Sequence, residues 1–242
     1  MPNTVSTGAS PAPKSLPARV IGVITAPRAT FESVVAHPKW FGVLALTMVV
    51  VAFCSALPVT TEEGKQAALD AQVSQMEAFG RTVSDEQYEG MAKGIEYAPY
   101  LTAGATLVVG PIMALIIAAI LFAVFNAAMG GDASFKQLFS VLVHAGVVSS
   151  LQLLFTGPLN YFRGAVTSAT NLAVLLPMID SDTFLGSLLA TIDVFLVWYV
   201  VVLAIGLAVL YRRRTQPIAI GLFVVYALIG LTIATVKTSM GS

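Results

Sequence analysis

Asp193 is the one carboxylate in the apolar stretch from Phe184 to Tyr211. A carboxylate near the middle of a bilayer costs about 2.5–3.5 kcal/mol on insertion scales, so it faces protein and is either protonated or partnered. As a helical residue it would sit about ten positions into its segment, roughly 15 Å along the axis. Two chemistries fit: a proton- or cation-coupled site, or a structural acid hydrogen-bonded to a neighbouring helix. The polar residues of the other apolar stretches that qualify as partners are His144, Gln152 and Asn126. His144 lies some six residues in from the cytoplasmic side while Asp193 is nearer the outer half, so Gln152 is the better match in depth. Gly110-Pro111 adds a candidate hinge, because proline removes one backbone hydrogen bond from a helix interior. Packing through the small residues Gly110, Ala114 and Ala118 is the plainer reading of that stretch.

No catalytic constellation accompanies these residues. The two histidines, His37 and His144, lack a zinc spacing, and the sequence contains neither a P-loop nor a G-x-S-x-G elbow. Gly130-Gly131-Asp132-Ala133-Ser134 is glycine-led but lacks the P-loop lysine. It reads as a turn, with Gly131 supplying a positive φ and Asp132 or Ser134 capping the next helix. The lone cysteine, Cys54, permits no intrachain disulfide. Thirteen basic and thirteen acidic residues give no net field to attract nucleic acid. The expectation is a protein without enzymatic activity, cofactor, metal or nucleic-acid partner.

The elements that must position these residues follow from composition. The 242 residues are 57% hydrophobic and only 11% charged, where soluble domains carry about 25% charge. Mean hydropathy is +0.83. Too few ionised groups remain to cover a soluble surface, so the chain reads as an all-α membrane protein. A helix needs roughly 20 apolar residues to cross a bilayer, and five stretches qualify: about 40–57, 100–129, 138–156, 184–211 and 217–236. Residues 1–17, rich in Ser, Pro, Ala and Thr, read as a disordered tail. Residues 18–39 read as two short amphipathic helices lying on the membrane surface, the second opened by Pro27 and closed at His37-Pro38, with Trp40 at the headgroups.

Residues 58–99 carry eight acids and three bases and form a helical extracytoplasmic loop. One helix runs through Leu69, Val73, Met76 and Phe79 to end near Gly80; Ser84-Asp85-Glu86-Gln87 caps a second. In the loop at 157–183, Gly157-Pro158 opens the turn and Ala173–Leu176 forms a short interfacial or re-entrant helix stopped by Pro177. Asp180, Ser181 and Asp182 are the candidate N-caps for the fourth span. Lys14, Arg19, Arg28 and Lys39 lie on the same side as Arg212-Arg213-Arg214. The positive-inside rule puts that side in the cytoplasm and the C-terminal tail, 237–242, outside. This describes a five-helix bundle in the cell (inner) membrane.

Several motifs in order resemble bacterial Yip1-domain proteins. They are Pro27-Arg28-Ala29-Thr30-Phe31 followed by Pro38-Lys39-Trp40, the glycine-led Ser134-Phe135-Lys136-Gln137, Asn171-Leu172 through Leu176-Pro177, and Asp193-Val194-Phe195-Leu196-Val197-Trp198. The likeness covers roughly residues 19–236, and the acidic outer loop is longer than the core pattern. The resemblance implies a five-helix membrane domain with a cytoplasmic N-terminus. Eukaryotic members act in vesicle traffic and associate with Rab-type GTPases and with one another. GTPase binding is not carried over, because the cytoplasmic surface here is little more than residues 1–39 and two short turns. The expected function is a membrane scaffold working through lipid and helix contacts with other membrane proteins or with itself. The alternative is a small ion- or proton-coupled or lipid transporter using Asp193, its substrate unidentified.

Overall fold

The computed structural model describes residues 12–78, 80–176, 178–180 and 183–240. Among these, the regular structure is helical, apart from one isolated antiparallel bridge between Asn171 and Asp193. Two short helices, α1 (Leu16–Thr25) and α2 (Pro27–Ala36), come first. Pro17 and Pro27 fall in their first turns, where the missing N–H is no loss. Helix therefore begins inside the tail expected over 1–17, most of which lies outside the described residues. Helix α3 (Phe41–Ala56) leads through a 3₁₀ turn to α4 (Glu62–Ala78) and α5 (Asp85–Gly94) of the acidic loop.

Gly80, with φ +71°, ends the first of these loop helices, and Phe79 lies outside the described residues. Ser84 and Gln87 make both bonds of a capping box at the start of the second. Lys65 bonds Glu62 at 2.9 Å and Glu96 at 2.7 Å, tying the two ends of the loop together.

Helix α6 (Ala98–Phe122) runs through Pro111 and passes into a π-helical stretch, Ala123–Ala128. The positive φ of the following turn is at Gly130 (+68°) rather than at Gly131. Gly131 instead packs so close to Tyr211 that a Cβ there would lie 2.5 Å from the ring. Ser134 then caps α7 (Phe135–Ala145) with a second capping box to Gln137. One residue, Gly146, separates α7 from α8 (Val147–Arg163). That helix does not stop at Gly157-Pro158, as the sequence pattern indicated. It continues to Arg163 and ends on Gly164 in the left-handed region at φ +57°.

Helix α9 (Leu172–Leu175) is a single turn, and Pro177, expected to stop it, lies outside the described residues. The fourth apolar stretch is two helices, α10 (Phe184–Thr191) and α11 (Val194–Leu210), and α12 (Thr215–Met240) closes the chain. Thr183 caps α10 through its hydroxyl; Ser181 and Asp182 lie outside the described residues.

Three continuous helical stretches are long and apolar enough to cross a membrane: 85–128, 135–163 and 215–239. Helices α1, α3 and α11 are shorter and apolar. This is an all-α membrane protein. Its centre is α7, in which every residue from Leu138 to Ala145 is buried. Helices α1, α2, α3, α6 and α11 pack around it. The two N-terminal helices are part of this core, since Val23, Phe31 and Val34 are fully buried. Helix association in lipid depends on close backbone approach, which small residues permit. A Cβ at Gly206 would lie 2.5 Å from Val141 and 3.0 Å from Phe31. The small faces at Ala114 and Ala118, and at Ala204 and Ala208, are likewise taken up by packing within the chain.

At Gly157 an added Cβ would meet the Cys54 carbonyl oxygen at 2.7 Å, a backbone atom that cannot swing aside. Gly157→Ala is therefore expected to lower the thermal unfolding midpoint in detergent, by the roughly 1–3 kcal/mol typical of overpacking. Gly221→Ala, with nothing within 4 Å of the new methyl, should leave the midpoint unchanged or raise it. A dye-based melting assay on both variants decides this.

Candidate functional site

The break between α10 and α11 falls at Ile192-Asp193, both in extended backbone. Asp193 is thus not a mid-helix acid, as its place in a long apolar run indicated, but the N-cap of α11. Residues at the start of a helix leave N–H groups without partners, and an aspartate oxygen satisfies them. Oδ1 accepts from the Phe195 N–H at 2.8 Å and the Leu196 N–H at 3.3 Å. Oδ2 accepts from the Thr170 hydroxyl at 2.6 Å and the Ser168 hydroxyl at 2.9 Å. An ionised carboxylate offers about four lone-pair directions, and four donors occupy them. The side chain is 7% exposed.

The backbone around the break is satisfied in the same economical way. The Leu172 N–H donates to the Ile192 carbonyl at 2.9 Å and the Val194 N–H to the Thr170 carbonyl at 3.2 Å. The Tyr226 hydroxyl, on α12, accepts from the Asp193 N–H at 3.3 Å and donates to the Thr191 carbonyl at 2.5 Å. The loop that leads into α9, helix α12 and the two half-helices are thereby fastened at one point.

Gln152 joins this cluster at one remove, donating to the Thr170 hydroxyl at 3.3 Å. His144 and Asn126 do not. Asn126 lies in the π-helical stretch and braces the turn after it, donating to the Ala133 carbonyl at 2.7 Å and accepting from the Tyr211 hydroxyl at 2.6 Å. His144 is fully buried, and its Nδ1 lies 2.7 Å from the Ser140 carbonyl oxygen. A carbonyl only accepts, so Nδ1 carries the hydrogen and Nε2 presents a lone pair. Arg19, on α1, donates from Nη1 to that lone pair at 3.2 Å and to the Lys39 carbonyl.

Arg19 is 7% exposed, its Nε has no partner, and among the described residues it has no carboxylate within ion-pair reach. Burial holds its guanidinium below the usual arginine range. The four candidate polar residues therefore divide into an Asp193–Thr170–Gln152 cluster, an Arg19–His144 pair and an Asn126–Tyr211 brace. Sequence reasoning missed Arg19, Ser168, Thr170 and Tyr226. A signal existed for Arg19, the single charge among Val20, Ile21, Val23 and Ile24 of its helix. Gly110 and Pro111 stand apart from all three groups. Gly110 packs on Met48, and Pro111 lines an apolar cavity of about 290 Å³ with Trp40, Leu44, Leu115 and Phe139.

The pattern of the Yip1 domain matches residues 21–236, nearly the whole chain. The chain belongs to the Yip1 family. It is 30% identical over 190 residues to the membrane protein YknW of Bacillus subtilis (strain 168), covering 78% of this chain and 76% of that protein. No solved structure matches it. The residues that carry the resemblance fall where helices start or meet. Pro27 opens α2, Phe31 is fully buried against Gly206, and Pro38 precedes Trp40, which meets Phe139 edge-on at 5.1 Å. Ser134 caps α7, Phe135 stacks near Phe139, and Asp193 caps α11, where Phe195 and Trp198 lie 6.1 Å apart.

Removing the Asp193 carboxylate leaves two amides and two hydroxyls without an acceptor. Asp193→Ala is expected to cost about 0.5–2 kcal/mol from the lost cap alone, read as a lower melting temperature. His144→Leu should cost about 1–3 kcal/mol or more, since it strands a buried cation. The double variant Arg19→Met/His144→Leu should recover most of that loss, because replacing both partners with apolar groups is close to neutral. A double-mutant cycle in unfolding midpoints measures this directly.

Proposed function

We propose that this Yip1-family chain is a non-enzymatic membrane organiser that crosses the bilayer five times and acts through lipid and helix–helix contacts, including contacts with further copies of itself. In this reading α3, α6, the α7–α8 pair, the α10–α11 pair and α12 are the crossings. Helices α1 and α2 and the Arg212–Arg214 turn face the cytoplasm, and the acidic α4–α5 loop lies outside. The basic residues favour that orientation.

The observation that carries the reading is the contrast in burial between apolar stretches. In the most apolar window of 135–163, 61% of residues are buried; in those of 85–128 and 215–239 the shares are 6% and 17%. Long runs of Leu, Ile and Val on α6 and α12 are thus left for lipid tails or for other helices, and Gly104 and Gly221 have open space beside them. The saturated carboxylate of Asp193 also favours this reading over an ion-coupled one. A binding site for a proton or cation needs a lone pair free to take it, and here each is directed at a cap or hydroxyl donor.

The test uses purified full-length chain reconstituted at low density, with Cys54 replaced and single cysteines introduced for labelling. Energy transfer between differently labelled copies should exceed the random-collision level and fall at least severalfold in Gly104→Trp or Gly221→Trp. Labels at Arg19-side and Arg214-side positions should react from the same face. Monomeric behaviour with no captured membrane partner, or labels on opposite faces, would overturn the proposal, as would a proton or cation flux abolished by Asp193→Asn.

A further inference from the structure

The face of the molecule carrying the α11–α12 turn holds an open cavity of about 700 Å³, lined by Arg28 and Glu32 of α2, by Arg212, Arg213 and Arg214, and by Thr215 at the start of α12. Volumes of this order hold small ligands. Its lining has four arginines and one acid. Arg28 and Glu32 approach each other only to 3.8 Å, and both are more than half exposed, so that contact neutralises little. Among the described residues, none of the three consecutive arginines has an ion-pair partner. Arg213 is steadied by a bond from its Nη2 to the Met129 carbonyl at 3.0 Å, which leaves other donors of its guanidinium free.

The backbone adds a separate indication. Helix α11 ends in a Schellman motif, with the Arg213 N–H bonded to the Ala208 carbonyl at 2.9 Å and the Arg212 N–H to the Val209 carbonyl at 3.4 Å. The left-handed residue of that motif is usually glycine. Here it is Arg212, at φ +52°, the one non-glycine residue with positive φ among the described residues. A β-carbon there costs roughly 1 kcal/mol that glycine would avoid. The chain thus carries a guanidinium at this place against the local backbone preference, and strained positions of this kind gather at binding sites.

The cavity also has a defined depth. It opens where the apolar run of α11 ends at Leu210 and that of α12 begins beyond Thr215, which in the five-crossing reading proposed above is the level at which phospholipid phosphates lie. Guanidinium groups match phosphate oxygens with paired donors.

We infer that this cavity is a binding site for the phosphate of an anionic phospholipid headgroup, with Arg28, Arg212 and Arg214 as its cationic ligands and Arg213 anchoring the turn. Basic pockets between membrane helices suit such headgroups. The inference deepens the organiser reading, supplying one lipid class that the protein gathers, and it depends on α11 and α12 crossing the bilayer.

The experiment takes the full chain in discs of mixed phosphatidylcholine and phosphatidylglycerol, and reads retained lipid by native mass spectrometry. The wild type should retain phosphatidylglycerol in clear excess over its share of the disc. Arg28→Gln and Arg212→Gly should each reduce that enrichment about fivefold, the effect expected for one cation at a membrane surface, and the double variant roughly twentyfold. Arg212→Gly keeps the turn, since glycine is at ease at this φ, and its melting temperature in pure phosphatidylcholine should not fall. Arg163→Gln, an exposed arginine at the end of α8, should change nothing.

Equal loss in Arg163→Gln, or undiminished enrichment in Arg212→Gly, would overturn the inference. So would displacement of the lipid by glycerol phosphate beyond that produced by chloride at matched ionic strength, which would make a soluble phosphate ester the ligand. Both leaflets of a disc carry the same lipids, so the result does not depend on orientation. Failure of the crossing assignment would appear differently, as a chain that does not enter discs.

Discussion

Lipid offers no hydrogen bond to a bare amide or carbonyl, and the architecture around Asp193 depends on that constraint. An apolar stretch that changes from one helix to another exposes the last carbonyls of the first and the first amides of the second. Here the chain supplies partners both from the helix itself and from elements remote in sequence. The Asp193 carboxylate takes two amides of its own helix, Thr170 and Leu172 make backbone bonds to the two sides of the gap, and Tyr226 on α12 bridges both sides. Two hydroxyls, Ser168 and Thr170, complete the carboxylate and link it to Gln152 on α8. The break is the joint at which three parts of the fold are held, and the polar groups within it satisfy one another.

The Arg19–His144 pair solves a different problem. Arg19 carries a positive charge into a buried position with no ion-pair partner among the described residues. It is accommodated by an imidazole whose tautomer is fixed by the Ser140 carbonyl and by the Lys39 carbonyl. Because His144 is buried in the last turn of α7, this contact seats α1 on the core, beside α2, which packs against α11. The N-terminal helices are therefore held by a polar pin as well as by the packing of Val23, Phe31 and Val34. Their seating in turn positions Arg28 beside the Arg212–Arg214 turn.

Much of this was legible in the sequence, for reasons that differ by element. Composition alone identified an all-α membrane protein, because 11% charge cannot coat a soluble surface. Pro27, Ser84 and Ser134 marked helix starts, since capping is local chemistry between residues three apart. Depth along helices of known rise favours Gln152 over His144 as a partner for Asp193, but the side chains that bond the carboxylate are Thr170 and Ser168, and Gln152 reaches only Thr170. The break at Ile192-Asp193 was not legible, because α10 and α11 read as one continuous apolar run and an aspartate inside it looks the same as a buried ligand. Only the tertiary partners, Thr170 and Tyr226, distinguish the two. The continuation of α8 through Pro158 was hidden likewise, since proline and glycine together are the usual signature of a turn. Arg19 was read as a surface charge of an amphipathic helix, and its burial depends on a histidine 125 residues away in the chain.

In the organiser reading proposed above, Asp193 builds a helix joint and does not bind cargo. The decisive experiment is a structure in a lipid disc at a resolution that shows individual water molecules. Both carboxylate oxygens should be bonded to the amides of Phe195 and Leu196 and the hydroxyls of Thr170 and Ser168, with no chain of water running past them between the two membrane faces. A continuous water file through Asp193, or an ion coordinated by its oxygens in place of those donors, would contradict it.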